Sequence, residues 1–312
     1  MNNRNLLFIF VALLAIYGLS QLFSSKKERT FKTDLIQIDS TEVTAVTINP
    51  KGEDTPEFTL NREENGWIAS SENINTKATK SAVDALLANL SNIKTKRIAA
   101  KSPDKWAEYE VEEGNGTSLQ VYSNGKIVED FILGRFSFNQ QTRSATSFIR
   151  LKGEDEVYAV DGLMTMTLSQ GFDTYRNKTM LNLGQESEIT TFSFQNDTIN
   201  VNYTLQNGQW STGELLLDST KVTNFLNDLK SISGTDFADD FDEVQAGNLP
   251  ATRFIAQGNN ILKPINIICY RDTTREKPFV LQSSQNREAY FESDSTGVFS
   301  RIFKNVGDFI SE

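Results

Sequence analysis

The sequence contains no histidine and a single cysteine, Cys269. The missing histidines remove the commonest general base, the commonest metal ligand and every Ser-His or Cys-His nucleophile pair. One cysteine excludes an internal disulfide and any cysteine-rich metal site. Cys269 lies in the apolar run INIICY, where a buried small hydrophobe is the expected role. Phosphate loops, the nucleophile pattern GxSxG and the zinc-helix pattern are absent as well. Basic residues are outnumbered, 31 Lys and Arg against 41 Asp and Glu, for a net charge of −10. That balance argues against a nucleic-acid backbone as partner, which needs clustered cations. No pattern asks for a cofactor, a metal or a named catalytic residue. A non-enzymatic protein is expected, and a hydrolase working with carboxylates alone is the enzymatic alternative.

What the chain does contain is a duplication. Residues 43–93 run VTAVTI, EFTL, NGWIAS and then a helix pattern ending ANLSNI. Residues 189–232 run ITTFSF, NYTL, NGQWST and then a helix pattern ending NDLKSI. Trp67 matches Trp210, 143 positions on. Val83, Leu86, Leu87, Leu90 and Ile93 match Val222, Phe225, Leu226, Leu229 and Ile232. A repeat of this kind is one supersecondary unit copied. The 312 residues suit two domains of ordinary size. The expected division is an anchor over 1–25, a polar connector over 26–41, a first repeat over 42–183 and a second over 184–312.

Leu6 to Phe23 is an uncharged apolar run of 18 residues, flanked by Arg4 and by Lys26, Lys27 and Arg29. About 17–25 apolar residues are enough for a helix to cross the hydrocarbon. A single-pass anchor is the expectation, and a cleaved signal peptide is the alternative, given Gly18, Ser20, Ser24 and Ser25. The local cations alone would place the body in the cytoplasm, but that rule weakens for long translocated domains. A strand-rich, cysteine-poor body behind such an anchor resembles a bacterial envelope protein, so an extracytoplasmic body at the inner membrane is expected.

Along the body, Val43–Ile48, Glu57–Asn61 and Gly66–Ala69 read as strands. A helix is expected to begin at Asn75 or Thr76 and to carry its apolar stripe through Ile93. Pro103–Tyr109 reads as a short helix. Strands follow at Ser118–Ser123, Lys126–Leu133, Ser147–Leu151 and Glu156–Val160, with Asn124-Gly125 as a hairpin turn. Gly162–Tyr175 has a weak helical pattern. The second copy repeats the order, with later strands at Arg253–Ala256, Ile265–Tyr270, Phe279–Ser283 and Ala289–Glu292 and a closing helix at Val298–Asn305. Strands in groups with one main helix each point to an α+β fold, a tandem repeat of a mostly antiparallel sheet-plus-helix unit.

Three constellations stand out. The acidic run Asp236, Asp239, Asp240, Asp242 and Glu243 could suit a hard cation, but it lacks calcium-loop spacing and reads as a solvated loop. The segment Arg135–Thr146 reads as a polar loop between strands. Its Arg135, Phe136, Phe138 and Arg143 are residue types enriched at binding hot spots, and they form the candidate partner contact. The matched positions Trp67, Leu86, Leu90, Trp210, Phe225 and Leu229 are core types, so the repeat preserves a scaffold.

WAEYEV at 106–111, ILGR at 132–135, VYAVDG at 157–162 and YRNKTML at 175–181 together resemble the bacterial domain-of-unknown-function family 4340. The likeness covers most of residues 40–305. It implies an amino-terminal membrane segment, a repeated α+β body outside the cytoplasm, and genes beside ABC-type export permeases and gliding-type auxiliary subunits. It implies no catalytic residues. The expected function is therefore a non-enzymatic accessory or scaffolding component of an ABC-type transport complex, with a permease or auxiliary subunit as partner. An envelope module binding a polysaccharide or lipid is the alternative.

Overall fold

A computed structural model describes residues 32–52 and 55–311. The apolar run Leu6 to Phe23 lies outside the described residues. Among the described residues, no helix is long and apolar enough to cross a membrane.

The first copy begins with strands Asp34–Gln37 (β1), Val43–Asn49 (β2), Phe58–Glu63 (β3), Gly66–Ser71 (β4) and Ile74–Lys77 (β5). Helix Lys80–Leu90 (α1) follows, then Asn92–Lys94 (β6), Arg97–Ala100 (β7) and the short helix Trp106–Tyr109 (α2). Thr117–Ser123 (β8), Lys126–Asn139 (β9), Ser144–Leu151 (β10), Val157–Asp161 (β11) and helix Met164–Leu168 (α3) complete it. The second copy has Thr179–Asn182 (β12), Glu188–Gln195 (β13), Asn200–Gln206 (β14), Gln209–Thr212 (β15), Leu215–Leu216 (β16) and helix Ser219–Leu229 (α4). Ser231–Ser233 (β17), Asp236–Phe237 (β18), Ala251–Asn259 (β19), Ile265–Arg271 (β20), Phe279–Ser283 (β21), Asn286–Ser293 (β22) and helix Val298–Ile302 (α5) follow.

Two nine-stranded sheets result. Their orders are β5-β4-β3-β2-β8-β9-β10-β11-β7 and β16-β15-β14-β13-β19-β20-β21-β22-β18. Each strand of the first has its counterpart in the second at the same place. The small pairs β1-β6 and β12-β17 also correspond. Every strand pairing that has a defined register is antiparallel, including β2 with β8 and β13 with β19. The body is thus mostly antiparallel and repeat-like. By proximity, the described residues form two compact units: Asp84–Gly171 with those before Glu63, and Glu63–Val83 with those after Gly171.

Local chemistry explains the elements. In β8, Thr117, Leu119 and Val121 are buried and alternate with partly exposed residues, the period of a half-buried strand. Asn124 and Gly125 both have positive φ, at 50° and 75°, and join Ser123 to Lys126 in a two-residue turn. Helix α4 starts at Asp218, whose side chain accepts from the amides of Thr220 and Lys221 at 2.9 and 3.1 Å. Its buried residues Val222, Phe225 and Leu229 form the expected stripe.

Four expectations are corrected. Asn75 and Thr76 do not cap α1; they lie in β5, where Ile74–Lys77 pairs with Ile68–Ser71 and so satisfies its backbone in a ladder. Ile93 and Ile232 are buried but sit in β6 and β17, beyond the ends of their helices. Gly162–Tyr175 forms only α3 and the single turn Phe172–Thr174. Arg135–Thr146 is largely strand, because β9 continues to Asn139 and β10 starts at Ser144.

The two copies fill equivalent places differently. Val46 and Ile48 of β2 are fully buried aliphatics. On β13 the matched positions are Phe192 and Phe194. Phe192 stacks on Tyr203 with centroids 4.4 Å apart and lies 5.4 Å from Trp210 and 5.7 Å from Phe225. Deleting a large buried ring costs about 3–5 kcal/mol, against about 0.5–1.5 kcal/mol for Ile→Val. Phe192→Ala should therefore shift the urea midpoint of the full chain several times further than Ile48→Val. A smaller shift for Phe192→Ala would mean that the ring cluster is not the core of the second copy.

Candidate functional site

Three of the sequence motifs meet in one place. Val111 of WAEYEV, Ile132 of ILGR, and Val157 and Ala159 of VYAVDG belong to one buried cluster with Ala100 and Phe148. Two arginines are set into it. Arg150 is 4% exposed, lies 3.9 Å over the Trp106 ring, and donates from Nε to the Val111 carbonyl at 2.9 Å. Trp106 Nε1 donates in turn to the Asp155 carbonyl at 3.0 Å. The guanidinium carbon of Arg135 lies 5.5 Å from the centroids of both Tyr109 and Phe148. These contacts are cation–π packing, which holds a cation by its faces and leaves its donor edge free.

At Gly134 the backbone of β9 runs close against α2. A Cβ built there would lie 2.1 Å from the Tyr109 carbonyl oxygen, so only glycine lets α2 sit against β9. A cleft of about 740 Å³ lies beside Arg135, lined also by Lys51, Glu110, Thr117, Gly134 and Ser169. Lys51 Nζ pairs with Glu110 at 2.7 Å.

The partner-contact candidates divide. Arg135 is half-buried at the base of the β9–β10 hairpin, as just described. Phe136 and Phe138 are 37% and 55% exposed, on the same face of β9. Arg143 is exposed in the four-residue turn, with φ of 50°. Asn139 Oδ1 shapes that turn by accepting from the amides of Gln141 and Thr142. Helix α3 packs at the hairpin base, where Thr165 Oγ1 donates to the Gly134 carbonyl at 3.1 Å. Leu163, which precedes this helix, and Met166 within it are also exposed. The matched residues Trp67, Leu86, Leu90, Trp210, Phe225 and Leu229 are all buried.

The acidic run is engaged by partners. Asp239 accepts both guanidinium ends of Arg176, at 2.6 and 2.7 Å. Arg176 is 2% exposed, lies 3.5 Å over the Phe237 ring, and also pairs with Asp173. Asp236 pairs with Lys277, and Asp240 with Arg275. Glu243 accepts from the hydroxyls of Tyr270 and Tyr290. Among the described residues no group of three His, Cys, Asp or Glu side chains could hold a metal ion. Sequence reading singled out neither Arg150 nor Arg176 as a buried cation. Arg176 stood in a quoted motif, but its partner Asp239 is 63 positions away.

The family model described as a domain of unknown function (DUF4340) matches residues 69–251. No curated protein and no solved structure matches the chain.

Two outcomes follow from these contacts. Gly134→Ala should destabilise the full chain by about 1–3 kcal/mol, the usual cost of forcing atoms into a packed site. A thermal midpoint equal to wild type would show that α2 does not press on β9. The second concerns acid. Hydrogen bonds from Lys277 hold Asp236 below its ordinary carboxyl value; Arg275 does so for Asp240, and Tyr270 and Tyr290 for Glu243. A depressed folded value gives stability that is complete above the unfolded value, about 4 for carboxyls, and lost as pH falls through the folded one. The thermal midpoint should hold between neutral pH and 5 and fall below about 4. Asp240→Asn should make that fall shallower, and an identical slope would remove Asp240 from the account.

Proposed function

The chain belongs to the domain-of-unknown-function family DUF4340, and from that premise we propose that it is a non-enzymatic accessory or scaffolding component of an ABC-type transport complex in the bacterial envelope. The apolar run Leu6 to Phe23 would anchor it, with the body outside the cytoplasm. Anchoring confines the body to the membrane surface, so a modest affinity for a membrane partner is enough. The observation that carries the reading is the projecting β9–β10 hairpin. Its Phe136 and Phe138 are exposed, as are Leu163 and Met166 at the helix that packs against β9, although large apolar side chains are generally turned inward. Clustered exposed apolar residues mark interaction surfaces, and aromatic anchors dominate binding energy at such surfaces. A permease or auxiliary subunit of the transport system is the partner this reading names.

A photo-crosslinking residue at position 138 of the full chain, in membranes, should join it to one of those subunits, and one at exposed Ile199 should not. The double variant Phe136→Ser/Phe138→Ser should weaken co-purification about tenfold or more, since hot-spot losses reach 2 kcal/mol and above. Crosslinks equally frequent from both positions, or unchanged co-purification, would sink the proposal.

A further inference from the structure

We infer that the cleft beside Arg135 is a carboxylate-binding site. The observation that carries this is the unmet guanidinium of Arg135 beside the cleft. In the second copy, the hairpin equivalent to β9–β10 is β20–β21; the exposed Arg271 holds the register place of Arg135, and the turn beyond it holds Arg275. That guanidinium faces Asp240 at 2.7 Å, Glu292 at 2.7 Å and Asp272 at 3.3 Å, so its charge is fully met within the chain. In the first copy, Arg135 stands at the base of the corresponding hairpin with two rings against it and, among the described residues, no hydrogen-bond acceptor and no carboxylate. Its Nε is shut off from solvent and makes no hydrogen bond. The donors left are Nη1 and Nη2, a planar fork that matches the two oxygens of a carboxylate.

The cleft fits that ligand. The one carboxylate on its lining, Glu110, is already neutralised by Lys51 at 2.7 Å. Ser169 Oγ accepts from Thr117 Oγ1 at 3.3 Å, which leaves the Ser169 hydroxyl proton to donate. The volume, about 740 Å³, is that of a small-molecule pocket. The site takes a carboxylate from a free small acid or from an acidic side chain of a docked partner. It stands whether or not the hairpin meets a transport subunit.

Succinate is the probe, with sodium chloride at matched ionic strength as control and the thermal midpoint of the full chain as readout. A ligand that binds only the folded state raises that midpoint saturably. Succinate should do so for wild type and for Lys126→Gln. Arg135→Lys keeps the charge but loses the fork, and should weaken the apparent affinity about tenfold or more, the scale of a charge-assisted hydrogen bond. Arg135→Gln should abolish the response. Should either variant start from a lower midpoint, Ser169→Ala gives the independent check, with a smaller loss of affinity. Succinate that also blocks crosslinking from position 138 identifies a partner's side chain as the source, and saturation without blocking identifies a free acid. An equal rise in the chloride control, or an undiminished response in Arg135→Gln, overturns the site.

Discussion

The fold depends on one pairing made twice: β2 with β8, and β13 with β19. Val46 faces Val121 and Ile48 faces Leu119 across the first; Phe192 faces Ala256 and Phe194 faces Phe254 across the second. Between the two partners of each pair, the chain makes a hairpin, a helix and an edge strand before it returns. Closing that excursion costs entropy that local contacts do not repay. The alternating buried residues on both partners repay it, since a one-residue slip would turn Val46, Ile48, Leu119 and Val121 to the wrong face. Everything else hangs on this seam: β3 to β5 extend it on one side, and β9 to β11 with β7 extend it on the other.

Because the seam fixes topology and leaves side-chain choice open, the copies diverge inside one frame. The first buries small aliphatics at Val46 and Ile48, and the second buries rings at Phe192 and Phe194. Both choices fill the layer between sheet and helix, and volume-conserving changes elsewhere in a core are tolerated. Trp67 and Trp210 persist at the second residue of β4 and β15 because a large anchor is needed where each strand meets the helix layer.

This explains what was legible in the sequence. Local signals were enough for the strands with clean alternation, for the Asn124-Gly125 turn, for the capped helix at Asp218 and for the tandem repeat. They failed where a long-range partner overrode them. Ile74–Lys77 has the polar residues of a helix entrance, yet β4 offers it a ladder. The hairpin segment looks polar enough for a loop, yet β10 pairs with it as far as Asn139. The buried arginines were the least legible. Arg150 acquires its acceptor from Val111, 39 positions away, and Arg176 its carboxylate from Asp239. Arginine is ordinarily exposed, so composition and spacing give no sign that these guanidiniums are buried.

The arginines also show where the copies part in chemistry. In and just after β18, the second copy places acids, and these meet Arg176, Arg275 and Lys277. After β7, the first copy places Trp106 and Tyr109 instead, and these meet Arg150 and Arg135 through their ring faces. A carboxylate meets a guanidinium's charge and accepts from its terminal donors, whereas a ring meets only its faces. Arg150 completes its set with the Val111 carbonyl, while Arg135 keeps an open fork at the mouth of a cleft. The same scaffold thus has a neutralised, structural end in one copy and an open cationic end in the other. The difference traces to which residue types follow a single edge strand.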